Sequence, residues 1–118
     1  MAKDQKLEYT DMMGAEGKLF EASTPLGFTV SVMAEQLKKI VTFKHPIISG
    51  RERDIRKTLE NPEEGRRSRK DPSAYLFYRA ERPKRWLCAV AKKLEEEGFL
   101  ITAYVTDAIK IGESVWRS

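Results

Sequence analysis

The chain has 118 residues, a length that supports one hydrophobic core and not two. Apolar residues make up 41% and charged residues 34%, which excludes a disordered chain, and no stretch approaches the ~20 apolar residues that a bilayer-spanning helix needs. The net charge of +4 is uneven: Arg51 to Lys93 holds 14 Lys/Arg against 7 Asp/Glu, and the rest of the chain holds 8 against 11.

Residues 1–16 are polar apart from Leu7, Tyr9, Met12 and Met13, and are expected to form a loosely ordered tail. No apolar run follows Met1, so no secretory signal is expected. Residues 18–22 and 27–33 read as two strands joined by a turn at Pro25 and Gly27. In the second, Phe28, Val30 and Val32 alternate with Thr29, Ser31 and Met33, the period of a half-buried strand. Residues 39–44 read as a third strand, and 34–38 as either a turn of helix or a tight bend.

Pro46 pushes His45 toward extended geometry. Ser49-Gly50-Arg51-Glu52 matches a capping box, in which the serine caps the first amides and the glutamate reaches back. Pro62 stops the chain from continuing, which predicts a helix over about 50–60. Its apolar stripe is Ile55 and Leu59. Arg51, four residues before Ile55, falls on the same inward side.

Residues 75–80, 86–92 and 99–104 are strand-like runs separated by Glu81–Lys84 and Glu97-Gly98. Residues 65–70 add a strand before them, giving an antiparallel meander of about four strands. Residues 105–118 read as a polar tail from which Ile109, Ile111, Val115 and Trp116 can pack back. The expected fold is α+β in one domain over 1–118, with N-terminal strands in 17–44 and a helix plus antiparallel sheet in 45–118.

Cys88 is the single cysteine, which excludes an internal disulfide and fits a reducing, cytoplasmic setting. With one cysteine and one histidine, a structural zinc site is not expected, and no motif calls for a cofactor. Nine of the ten arginines lie in the basic middle, and the arginine fork suits phosphate. A plain solvated surface is the competing reading.

Thr102 and Tyr104 share one strand face, on which Leu100 is also expected. With His45 and Arg51 they could cut RNA without metal. The ribose 2′-hydroxyl attacks the phosphate, histidine moves a proton and arginine clamps the charge. One histidine excludes a symmetric two-histidine mechanism, so the second proton falls to Tyr104, a carboxylate or water. Each residue also has a structural reading. Arg51 can pair with Glu52 or Asp54, and Tyr75, Phe77 and Trp86 can be packing residues.

His45-Pro46, Arg51, Arg53, Asp54, the arginine-rich hairpin, Tyr75-Leu76-Phe77-Tyr78 and Leu100–Tyr104 together resemble small bacterial domains grouped with the barnase–EndoU–colicin–RelE superfamily of metal-independent ribonucleases. The resemblance implies a helix before a four-stranded antiparallel sheet. It implies an endoribonuclease of the kind that serves as the toxin of a toxin–antitoxin pair, with His45 as acid/base, Arg51 on phosphate, and Thr102 and Tyr104 on the last strand. Arg53, Arg66, Arg67, Arg69, Arg79, Arg82 and Arg85 are the expected RNA contacts. RNA and an acidic antitoxin-like protein are the expected partners, and no membrane is involved. The alternative is a non-catalytic nucleic-acid-binding or protein-interaction domain with a basic surface.

Overall fold

The computed structural model describes residues 17–110 and 112–118, so the tail expected over 1–16, and Ile111, lie outside the described residues. In chain order come β1 (Lys18–Ser23), β2 (Thr29–Met33), α1 (Ala34–Lys39), a π-helical segment (Ile40–Lys44) and a 3-10 turn (Pro46–Ile48). Then follow α2 (Glu52–Glu60), β3 (Glu64–Arg67), β4 (Ala74–Arg82), β5 (Arg85–Leu94), β6 (Glu97–Thr106) and β7 (Glu113–Arg117). The fold is α+β, as the pattern predicts.

The strands form one sheet in the order β1-β2-β6-β5-β4-β3-β7. The expected meander is its middle, where β3, β4, β5 and β6 pair antiparallel in sequence. The sheet is larger than expected and mixed, because β2 runs parallel to β6 and β7 adds to β3. Residues 105–118 are therefore not just a tail. Val115 and Trp116 sit in a strand, and the Trp116 indole N–H donates to the Pro62 carbonyl at 3.2 Å.

The helices cover one face. Ile55 and Leu59 of α2, with Leu37, Ile40 and Ile48, pack on Val30, Val32, Phe77, Leu87, Ala89, Ala91, Leu100 and Ala103. Alanines on the central strands let the helix approach, and the large aliphatics fill the space beside them. The second face carries a smaller cluster of Leu76, Tyr78 and Cys88, with Trp86, Val90, Tyr104 and Ile109 against it. No described helix is long and apolar enough to cross a membrane.

Three local expectations are corrected. Residues 39–44 are helical, not a third strand. Leu37 and Ile40 are both buried, and that three-residue spacing continues the stripe of α1. The helix then widens, with the His45 N–H bonded to the Ile40 carbonyl at 2.7 Å. The described residues thus hold two α-helices where one was expected.

The capping box is not formed. Gly50 turns the chain at φ +76°, so the cap falls on Arg51 and the helix begins at Glu52, with no side-chain cap hydrogen bond. Left two residues short of the cap, Ser49 has no amide to serve. Ser49→Ala is expected to change stability by less than about 0.5 kcal/mol in a urea titration; a loss near 1 kcal/mol would show that the serine does cap the helix.

The third correction concerns β6. Val90 pairs with Thr102 but Ala91 pairs with Leu100, so Ile101 is an extra residue. The bulge moves Leu100 to the helix-covered face with Ala103, away from Thr102 and Tyr104. The Gln36 side-chain amide donates to the freed Ile101 carbonyl at 2.6 Å, tying α1 to the bulge.

Candidate nucleic-acid interface

Of the four residues expected to do chemistry, the fold brings two into contact. His45 lies between the π-helical segment and the 3-10 turn, and its ring centroid is 5.5 Å from that of Tyr104, tilted by 42°. The contact forms beside the half of β6 that β2 leaves free, since β2 pairs only with Glu97–Phe99. Thr102 is two residues before Tyr104 on the same strand face.

Arg51 lies elsewhere. It sits at the N-terminus of α2 on the helix-covered side, beside Leu87 and Arg79 in an open cleft of about 250 Å³. Its Nε–H donates to Asp54 at 2.9 Å, and its Nη2 pairs with Glu81. The hydrogen bond to Glu81, reinforced by Asp54 against the opposing effect of burial, pushes the guanidinium pKa further up. Burial raises the Glu81 carboxyl, but Arg51 and Arg85 outweigh it and hold the group below its usual value. Two carboxylates therefore occupy the fork that a phosphate would need.

The hydroxyls of Thr102 and Tyr104 are buried and make no hydrogen bond among the described residues. Burial, with Cys88 and Tyr78 alongside, pushes the Tyr104 hydroxyl well above its usual pKa. Burial likewise raises Tyr78 and Cys88, each to about 12. These groups stay protonated at neutral pH and are packed away from solvent. As an unpaired buried donor, the Tyr104 hydroxyl costs stability. Tyr104→Phe is expected to leave the unfolding midpoint unchanged or raise stability by up to about 1 kcal/mol. A destabilisation above that size would show that the hydroxyl has a partner.

The predicted arginines divide between the two ends of β4. Arg79, Arg82 and Arg85 lie at the β4–β5 hairpin. Arg67 pairs in register with Tyr75 at the other end, with Arg66 next to it and Arg69 in the turn beyond. Seven residues separate Tyr75 from Arg82, about 23 Å of strand at ~3.3 Å per residue. The predicted sheet arginines thus fall at two separate ends of β4. Arg53 is on neither; it is exposed on α2.

Several of these cations are already paired. Arg66 binds Glu64 at 2.6 Å and the Gly112 carbonyl at 3.0 Å. Arg67 lies 5.5 Å over the Tyr75 ring, donates to its hydroxyl at 3.2 Å, and approaches Glu113 at 3.8 Å. Arg85 binds Glu81 at 3.2 Å. Arg82 and Lys84 are exposed and have no carboxylate partner among the described residues. With Arg85, Pro83, Val105, Thr106 and Asp107 they line an open cleft of about 430 Å³.

No family model, curated protein or solved structure matches the chain. The likeness to the barnase–EndoU–colicin–RelE superfamily accordingly rests on short sequence motifs alone.

Sequence reading missed Lys84 and Lys110. Lys84 takes a left-handed conformation, φ +62°, at the tip of the hairpin, between Arg82 and Arg85. Its place in a Pro-Lys turn flanked by arginines was a usable signal. Lys110 had none, because only the fold brings its ammonium to 5.8 Å from the Tyr104 ring.

Proposed function

We propose that this chain binds nucleic acid through the β4–β5 hairpin end, gripping the phosphate backbone without cutting it. One observation carries the reading: Arg82 and Lys84 are exposed at the hairpin without an ion pair among the described residues, beside an open cleft in which Asp107 is the one lining carboxylate. Binding of this kind is electrostatic and indifferent to sequence. Purified protein is expected to bind short RNA and DNA, with affinity that falls steeply as salt rises. Arg82→Ala/Lys84→Ala should reduce the slope of log affinity against log salt by about 0.7 for each single-strand phosphate that is no longer neutralised. Binding that is insensitive to salt, or unchanged in that variant, would overturn the reading.

A metal-independent endoribonuclease is the second reading, favoured by the His45–Tyr104 contact. Against it stand the buried hydroxyls of Thr102 and Tyr104 and the carboxylate-bound guanidinium of Arg51. Incubation with RNA in excess chelator separates the two. Cleavage that disappears in His45→Ala selects the enzyme; intact RNA selects the binder. An acidic protein partner of the antitoxin type would use the same free cations and would compete with RNA for them.

A further inference from the structure

The two basic ends of β4 are joined by one stretch of chain. The connection from β6 to β7 starts at Thr106 and Asp107, which line the hairpin cleft. It ends at Gly112 and Glu113, which line a second open cleft of about 560 Å³ with Arg67, Ser68, Arg69 and Pro72. In between, residues 109 and 110 lie on the face of the sheet opposite the helices. Ile109 packs on the cluster of Tyr78 and Cys88, and the Lys110 N–H donates to the Tyr78 hydroxyl at 3.0 Å. Lys110 is exposed and its ammonium lies 5.8 Å from the Tyr104 ring, so this part of the connection carries a cation on that face. Arg69 in the far cleft and Lys70 next to it in the chain are also exposed, with no carboxylate partner among the described residues.

We infer that the β6–β7 connection marks the track of one single-stranded nucleic acid, held at the hairpin cleft, at Lys110 and at the Arg69 cleft. The inference rests on the nucleic-acid reading above and fixes the form and length of the ligand. The Tyr75–Arg82 length of β4, about 23 Å, sets the scale of the track and corresponds to about seven nucleotides at the stacked rise of ~3.4 Å, and fewer when the strand is stretched. Single-stranded form follows from Trp86. Its ring is half-buried on the same face, opposite Ala80 and Thr106 and beside the hairpin cleft. An unpaired base can stack on such a ring, whereas a duplex keeps its bases inside. Asp107 and Glu113 line the two clefts too, and Glu113 already faces Arg67, so the grip comes from the unpaired cations.

The test is fluorescence anisotropy of labelled oligouridine of roughly three, six and ten residues, with a ten-base-pair duplex for comparison, over a range of salt. Affinity is expected to rise at least tenfold from the shortest strand to the longest. Arg69→Ala/Lys70→Ala should bring the longest strand down toward the affinity of the shortest, and should cut its salt slope by about 0.7 for each phosphate released. Lys110→Ala should lose part of the same gain. Arg82→Ala/Lys84→Ala should weaken every length. If that last variant weakens binding while the Arg69/Lys70 variant leaves the longest strand unchanged, the track is overturned and the hairpin reading stands. A duplex that binds as tightly as the single strand overturns the single-strand assignment. Absence of binding at any length removes both readings.

Discussion

Phe77→Ala is expected to destabilise the protein by about 4 kcal/mol, the typical cost of emptying a fully buried phenylalanine site. Phe77 is fully buried near the middle of β4. Its ring lies 6.4 Å from that of Phe28, and it belongs to the same cluster as Ile55 and Leu59 of α2. Alanine removes the ring and leaves a cavity between helix and sheet that rigid neighbours cannot fill. Domains of this size are stable by roughly 5–15 kcal/mol, so the loss is a large fraction of the whole. Urea titration should show an earlier midpoint, and thermal unfolding should move down by about 20 °C. Phe77→Leu should recover most of the loss. A change below about 1 kcal/mol in the alanine variant would mean that α2 does not pack on the sheet as described.

The second large effect concerns Glu64. It is a buried carboxylate on β3, 7% exposed, and it organises the edge of the sheet. Arg66 donates to it at 2.6 Å, the Ser114 hydroxyl at 3.0 Å and Arg117 at 3.1 Å. Two of those donors belong to β7, so Glu64 pins the last strand. Burial pushes its carboxyl pKa up, but the hydrogen bonds from Arg66, Ser114 and Arg117 outweigh it and hold the group below its usual value near 4.5. The folded pKa is thus depressed. Its stabilisation is complete above the unfolded value and is lost as pH falls through the folded one. Glu64→Gln is expected to cost about 2 kcal/mol at neutral pH, the size of a charge-assisted hydrogen bond. It should also flatten the fall in stability below the unfolded value. Urea midpoints measured at neutral pH and at acid pH check both parts. A variant that loses stability with acid as steeply as the parent would place the acid sensitivity elsewhere.

How much of this could be read in advance depends on the range of the interaction. Alternation in residues 28–33, the Pro and Gly breaks, and the turns at Glu81–Lys84 and Glu97-Gly98 are local signals. They correctly locate β2 and the β4–β5–β6 meander. Residues 39–44 mislead because β-branched Ile40 and Val41 favour a strand locally. The burial of Ile40 in one cluster with Leu100 and Ala103, from the helical side, is a tertiary fact. Ser49 misleads because the capping box is judged by spacing, and Gly50 takes the serine out of position.

The candidate site divides in the same way. Local sequence supplies the cations, the single histidine and the shared face of Thr102 and Tyr104. The His45–Tyr104 contact is anticipated only in that both residues are named; 59 positions apart, they meet because the π-helical segment ends beside the free half of β6.

Composition and local pattern alone establish an α+β chain with a strongly basic middle and arginine as the main cation of that segment. Where the charge goes is a matter of tertiary structure. Antiparallel pairing sends Arg67 and Arg82 to opposite ends of one strand. Glu64 and Glu81 neutralise the arginines they reach, and a loop from late in the chain lays Lys110 against Tyr78 and Tyr104. Charge is a property of residues, but a surface potential is a property of neighbours, and sheet register sets the neighbours.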